Sequence, residues 1–221
     1  MANTLVGMKT NTTLTRALLT CGVVAAPLWI LLVLIQMLIR PGFDLRRHAI
    51  SVLSNGDLGW VQVTDFIVAG VLMVAAAFGT RRALHPGQGG AWGPRLLGAV
   101  GIGLIGAGIF SADPMNGFPP GTASNTGQIS WHGGLHFLFA SIAFVSLIIV
   151  SITVFARWYR SRHETGWMIY SIAVGGYFLV AWVALIITAT GNGAVSVAFA
   201  LAVVLTWLGV SLLSFRLIRQ L

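Results

Sequence analysis

The stretch LHFLFASIAFVSLIIVSITVFA, residues 135–156, decides the fold class of this chain. It contains no Asp, Glu, Lys or Arg, and it is long enough to cross the hydrocarbon core of a bilayer, which takes about 20 mostly apolar residues. Lipid offers no partner for free backbone N–H and C=O groups, so such a segment must be helical. Five more runs approach or meet this length: residues 17–39, 60–78, 96–112, 167–188 and 194–215. The sequence therefore predicts an all-α, polytopic membrane protein built as a six-transmembrane-helix bundle.

Composition agrees with this fold class. Of the 221 residues, 57% are hydrophobic and only 8% are charged, whereas a soluble domain normally carries about 25% charged residues. The net charge of +8 would suit a nucleic-acid partner, but the basic residues form short clusters between apolar runs. Membrane topology explains that placement better, so we expect no nucleic-acid partner. At this length we expect a single domain over residues 1–221.

The loops alternate in charge. The N-terminal tail, the second loop, the fourth loop and the C-terminal tail all carry Lys or Arg, whereas residues 113–130 and 190–193 carry none. The bias of Lys and Arg toward cytoplasmic loops then predicts that the N-terminus and the C-terminus are both cytoplasmic. We expect a multi-pass protein of the cell (plasma) membrane.

The first loop does not follow this alternation, since Arg40, Arg46 and Arg47 lie on the side predicted to face outward. These arginines therefore have a role other than topology. Other uncommon residues converge on the same face: Asp44, His48, Ser51 and Asp57 in the first loop, Asp65 just inside the second span, Asp113 at the end of the third, and His132 and His136 at the start of the fourth. This convergence is the main functional signal in the sequence.

The two histidines of the fourth span suggest a metal site. His132 and His136 are four residues apart, so on a helix both imidazoles project from one face. A catalytic zinc site usually takes three protein ligands and leaves one position for water. His48 and Asp113 are the available further ligands, and zinc bound there would supply hydroxide near neutral pH. Structural hydrogen bonding by the histidine pair is the alternative.

Three polar residues would complete such a catalytic site. Asp113 or Asp65 would orient the zinc-bound water or carry its proton, and Ser51 would donate a hydrogen bond to a developing oxyanion. The activity would be hydrolysis of a lipid, or of another apolar amide or ester, that enters from the bilayer at the predicted outer face. Asp65 also has a simpler interpretation, which is an ion pair with Arg46 or Arg47.

Two functions without catalysis compete with this hypothesis. Arg46 and Arg47 are suited to bind lipid headgroups or to clamp an anionic small molecule, as in a binding or transport protein. The third span is rich in glycine, which lets neighbouring helices approach closely. It predicts a central, tightly packed helix, and it would also serve as the interface of a structural partner of another membrane protein. The sequence leaves the oligomeric state open.

Several short motifs resemble those of a bacterial integral membrane family catalogued as domain of unknown function 998. They are PGFD at 41–44, HAISVLS at 48–54, GDLGW at 56–60, DP at 113–114 and WHGGLH at 131–136. The resemblance covers nearly the whole chain. It implies a six-span bundle, and it implies no particular chemistry.

A second resemblance concerns the polar constellation alone. Ceramidase and adiponectin-receptor-type intramembrane hydrolases place three histidines, a serine and an aspartate around zinc. Those enzymes have seven spans and carry their paired histidines on the last one, whereas the pair here belongs to the fourth of six predicted spans. The resemblance is therefore one of site and not of fold.

Overall fold

The computed structural model describes residues 2–87, 89–122, 129–188 and 192–221, with side chains described from residue 12 onward. Within these residues the regular elements are helical, and the extended pairing is limited to one isolated bridge between Met115 and Phe118. The helices are α1 (Ala2–Ile39), α2 (Gly59–Leu84), α3 (Trp92–Ile109), α4 (Trp131–Ile149), α5 (Ala156–Ser161), α6 (Thr165–Thr188) and α7 (Gly193–Ile218). A short 3₁₀ helix, Ile50–Ser54, lies between α1 and α2, and a π-helical segment, Val150–Phe155, joins α4 to α5.

The described helices supply six segments that are long and apolar enough to cross a membrane. These are Thr12–Ile39, Gly59–Leu84, Trp92–Ile109, Trp131–Ser161, Thr165–Thr188 and Gly193–Ile218. The prediction of an all-α, six-span membrane protein is thereby confirmed. Six crossings put both termini on the same side of the membrane. We call the end that carries the loop between α1 and α2 the predicted outer face.

Several span boundaries differ from the prediction by a few residues, and the largest difference is at the end of the second span, which is Leu84 rather than residue 78. The third span begins at Trp92 rather than near residue 96, because Pro94 and Arg95 fit the first turn, where the missing proline N–H costs no intrahelical bond. The fourth span continues to Ser161, because the backbone stays helical through the π-helical segment and α5. Apolar composition alone marks neither boundary.

The glycine-rich helix α3 packs between α2 and α4. A Cβ added at Gly101 would lie 2.6 Å from the carbonyl oxygen of Gly70 on α2, and one added at Gly103 would lie 2.6 Å from the carbonyl oxygen of Phe139 on α4. A Cβ at Gly106 would collide with the Phe139 ring. The prediction of a tightly packed helix is confirmed. These three glycines contact the chain's own helices, and an interface of α3 with another membrane protein stays a prediction.

Helices α1, α2 and α7 form the other side of the core. The antiparallel pair α1 and α2 is in close contact where Gly22 lies beside Ala76, and the Gln36 amide donates to the Gln62 side-chain oxygen at 2.8 Å. Trp29 stacks on Trp207 of α7 with ring centroids 5.3 Å apart. These contacts hold a set of polar side chains inside the bundle near the predicted outer face.

The opposite end of the bundle carries an ion pair. Arg216 of α7 lies 2.6 Å from Glu164, in the loop before α6. Its guanidinium also lies 5.0 Å from the ring centroid of Trp167 and 5.5 Å from that of Tyr159. Salt bridge and rings together tie α5 and α6 to the last turns of α7.

Candidate functional site

Arg40 organises the loop between α1 and α2. The residue follows the end of α1, and its guanidinium turns back into the loop, where Nη1 donates to the carbonyl of Leu53 at 2.9 Å and Nη2 donates to the carbonyl of Asn55. The side chain is 7% exposed. Burial lowers the pKa of Arg40 from its usual range, and the Asp57 carboxylate offsets part of this effect. The guanidinium stays charged, because arginine is protonated far above neutral pH.

The loop after α3 packs onto the first loop. Phe118 is fully buried and contacts the rings of Phe43 at 5.6 Å and His48 at 5.5 Å, and the Arg40 guanidinium lies 5.1 Å from its centroid. The Asn55 amide donates to the carbonyl of Ala112 at 2.9 Å. The two loops therefore form one folded unit. We call residues 40–58 and 110–122 the outer cap.

Both ring nitrogens of His48 are used inside the outer cap. The backbone N–H of Asp44 donates to Nδ1 at 2.9 Å, so the proton is on Nε2, which donates to the carbonyl of Asn116 at 3.2 Å. The ring is 2% exposed, and it borders a cavity of about 10 Å³ beside Leu185 of α6 and Phe199 of α7. His48 thus fixes one loop to the other and faces the α6–α7 side of the bundle.

His136 and His132 have different surroundings despite their spacing. His136 is 6% exposed, and its Nδ1 donates to the carbonyls of Ala107 at 2.9 Å and Phe110 at 2.8 Å at the end of α3. His132 is exposed and lies against the Trp131 ring, with centroids 3.5 Å apart. His136 therefore satisfies carbonyls that the end of α3 leaves without a helical partner.

Asp113 holds the start of α4. Its Oδ2 accepts from the backbone N–H of Ser130 at 2.9 Å, and its Oδ1 accepts from the Ser130 hydroxyl at 2.5 Å. Ser130 is the N-cap residue and accepts from the N–H of Gly133 at 3.0 Å. A Cβ at Gly133 would collide with the Asp113 carboxylate. The aspartate, the serine and the glycine form one capping unit.

The predicted metal cluster does not assemble in this arrangement. Across the described ranges, no group of three or more His, Cys, Asp or Glu side chains lies close enough together to hold a metal ion. His48, His136 and Asp113 each bind backbone groups instead, and His48 contacts α6 and α7 while His136 contacts α3. The expectation that His48, Asp113, His132 and His136 converge is corrected accordingly. Zinc binding itself stays a prediction.

The remaining predicted residues also occupy separate places. Ser51 lies in the 3₁₀ helix, where its carbonyl accepts from the Ser54 hydroxyl at 2.7 Å. Arg46 is exposed beside Gly193 at the start of α7. Arg47 is exposed and donates to the carbonyl of Asn116 at 3.3 Å. The two arginines thus lie at the edge of the cap and do not form one clamp.

Asp65 does not pair with either arginine, so that prediction is wrong. The residue is 1% exposed in α2, and neither carboxylate oxygen has a hydrogen-bond partner among the described residues. Asp65 lies on the face of α2 that carries Gln62 and is turned toward α1, whereas Arg46 and Arg47 are exposed at the edge of the cap.

A groove opens in the outer cap. It has a volume of about 610 Å³. Its lining consists of Arg40, Pro41, Gly56, Asp57, Leu58, Phe118, Pro119, Pro120, Gly121 and Thr122. Sequence reasoning noticed Arg40 and Asp57 but did not assign them to a site. The sequence signal that could have identified this site is Arg40, an arginine directly after a span on the side of the membrane where arginine is disfavoured.

Comparison with known proteins places the chain in a family. No curated protein and no solved structure matches it significantly. The sequence model of the family described as "Protein of unknown function (DUF998)" matches residues 23–216, which covers all or most of every span and the whole outer cap. The chain belongs to this family.

Proposed function

We propose that this protein is a non-catalytic binding protein of the membrane, whose groove in the outer cap holds the zwitterionic headgroup of a phospholipid. The observation that carries the proposal is the groove itself, a space of about 610 Å³ with a cation and an anion on its wall. Arg40 provides the positive charge and Asp57 the negative charge. A headgroup with a phosphate and an amine matches that pair.

The charged groups are suited to these roles. An arginine guanidinium has five N–H donors, and Arg40 uses one from each of two nitrogens on loop carbonyls. The remaining donors are available to phosphate oxygens, which arginine binds well. Asp57 is exposed at the same groove, where its carboxylate is able to accept from an ammonium group.

The apolar part of the groove fits a molecule anchored in the bilayer. Phe118 and the prolines 119 and 120 form its walls. Leu58 is 39% exposed at the groove, and Trp60, the second residue of α2, is 65% exposed. Exposed tryptophan near the end of a span is typical of the membrane interface. Acyl chains that run down α2 would therefore keep the headgroup at the groove.

The groove supports binding better than hydrolysis. Three of the four residues predicted to hold zinc, His48, His136 and Asp113, are bound to backbone groups. The predicted clamp of Arg46 and Arg47 is split between α7 and Asn116. A ligand in the groove would leave the contacts of the predicted zinc ligands and of the two arginines unchanged.

The test is native mass spectrometry of the purified protein with added lipid. We expect phosphatidylethanolamine to bind better than phosphatidylglycerol, which has the phosphate but no amine. Asp57→Asn should abolish this preference and weaken phosphatidylethanolamine binding about fivefold, because an exposed charge pair contributes about 1 kcal/mol. Water-soluble glycerophosphoethanolamine should compete only weakly if the acyl chains contribute.

The matched control is Arg46→Ala, which removes an exposed arginine of the same loop outside the groove. It should leave both lipids unaffected. Loss of binding in Arg46→Ala, with Asp57→Asn unchanged, would move the ligand to the predicted arginine site and refute the groove.

A further inference from the structure

Asp65 is the only acidic residue inside the six spans. It is 1% exposed, and both of its oxygens lack hydrogen-bond partners in the described part of the chain. An ionised carboxylate is very unfavourable in such a place unless a counter-charge accompanies it. A neutral carboxyl, or one with a bound counter-ion, is therefore the stable form of this residue.

Three other buried side chains, two on α1 and one on α2, have hydrogen-bonding atoms that no described residue uses. Gln36 donates to Gln62, but Oε1 of Gln36, Nε2 of Gln62 and Nε1 of Trp29 have no partner within the described ranges. These side chains are between 0% and 4% exposed. We call Trp29, Gln36, Gln62 and Asp65 the polar column.

Helix geometry places the four side chains in a row. Gln62 and Asp65 are three residues apart, so they share one face of α2. The contact of Gln36 with Gln62 and of Gly22 with Ala76 sets the antiparallel register of α1 against α2. In this register Asp65 is level with Val33, the glutamine pair lies about one turn nearer the outer cap, and Trp29 lies about one turn deeper.

We propose that Asp65 is an intramembrane proton-binding site, and that its proton exchanges with the predicted outer face through the glutamine pair. The column combines donors, from Gln62 and Trp29, with an acceptor, from Gln36. A metal ion would be repelled by those two N–H groups. A protonated carboxyl uses both kinds of partner, because it donates through O–H and accepts through its carbonyl.

Among the described residues, no charged group pairs with Asp65. On α1 the nearest is Arg40, beyond the glutamine pair, and its guanidinium is bound in the outer cap. On the α4 side His136 lies near Phe66, with centroids 6.0 Å apart, and its Nδ1 is held by α3 carbonyls. The basic side chain of α7, Arg216, lies at the opposite end in its ion pair.

The proposal is tested with dicyclohexylcarbodiimide, an apolar reagent, on the protein in lipid vesicles. A protonated carboxyl adds its O–H across one C=N bond of the reagent, and rearrangement gives a stable N-acylurea that retains every atom of both. We expect one adduct, on the peptide that contains Asp65. It should be lost in Asp65→Asn and kept in Asp44→Asn, which changes an exposed aspartate of the outer cap.

Infrared spectroscopy covers the case in which the reagent does not reach the site. The carbonyl stretch of a protonated carboxylic acid should be present in the native protein and absent in Asp65→Asn. An ionised carboxylate at Asp65, or labelling that sodium ions block and choline does not, would overturn the proposal and place a metal cation there.

The route is tested by exchange into heavy water, which shifts the same infrared band. Gln62→Leu should slow the shift severalfold. Thr80→Val is the matched control, because Thr80 is equally buried in α2 and lies toward the other end of the helix. Its hydroxyl also has no hydrogen-bond partner in the part of the chain that the structure describes. Equal slowing in both variants, or slowing in Thr80→Val alone, would refute exchange through the glutamine pair.

Discussion

Polar side chains have hydrogen-bond partners in the outer cap, whereas those of the polar column beneath it have unused hydrogen-bonding atoms among the described residues. In the cap, Arg40, His48 and Asp113 each bind backbone groups of another part of the chain. In the column, Asp65 and its neighbours are as deeply buried but keep unused donors and acceptors. Native proteins rarely leave buried polar atoms unpaired. The difference teaches that the fold itself uses the buried histidines His48 and His136, whereas the column keeps hydrogen-bonding atoms that no described residue uses.

The largest expected effect comes from removing the guanidinium at the centre of the cap. Arg40→Ala deletes two charge-assisted hydrogen bonds and leaves the carbonyls of Leu53 and Asn55 unpaired. We expect a loss of about 3 kcal/mol or more in the free energy of unfolding, measured in detergent. Arg46→Ala should change it by less than about 0.5 kcal/mol, because that side chain is exposed. Equal effects would mean that the cap is not held by Arg40.

A smaller effect is expected at the start of α4. Ser130→Ala removes the N-cap hydroxyl that accepts from Gly133, which costs about 1 kcal/mol of stability. Because Asp113 accepts from the same serine, adding Asp113→Ala should cost less than the sum of the single changes. Full additivity in thermal unfolding would show that Asp113 has a role apart from this cap.

The smallest expected effect concerns metal content. Since His136 is held by α3 carbonyls and His132 lies exposed against Trp131, their replacement should remove no metal. Elemental analysis of the purified protein, of His132→Ala and of His136→Ala should give the same, substoichiometric zinc. One zinc per chain that disappears in His136→Ala would restore the hydrolase hypothesis.

The six spans could be predicted from the sequence because each one is recognisable from its own apolar composition. Residues 135–156 are apolar enough to require a helix in lipid, and the glycines of α3 indicate close packing wherever their neighbours are. Both properties are local. The boundaries at Trp92 and Ser161 were less predictable, because arginines at a span end are compatible with either helix or loop.

The site was less predictable because its contacts join distant residues. His48 binds Asn116 across 68 positions, and neither loop has a periodic pattern that predicts this pairing. The spacing of His132 and His136 matched a metal motif, but in the structure His136 is buried and His132 is exposed. Gln36 and Gln62 were a usable signal, since uncharged polar residues in apolar spans often bind across helices.

The most direct test compares Asp65→Leu with His48→Leu in thermal unfolding of the purified protein. Neither oxygen of Asp65 has a hydrogen-bond partner among the described residues, so Asp65→Leu should cost less than about 1 kcal/mol in the free energy of unfolding. Removing His48 leaves the buried backbone N–H of Asp44 without its acceptor and deletes the hydrogen bond to the Asn116 carbonyl, so it should cost about 2 kcal/mol. The reverse result, with Asp65→Leu strongly destabilised and His48→Leu unaffected, would contradict the distinction between a satisfied cap and an open polar column.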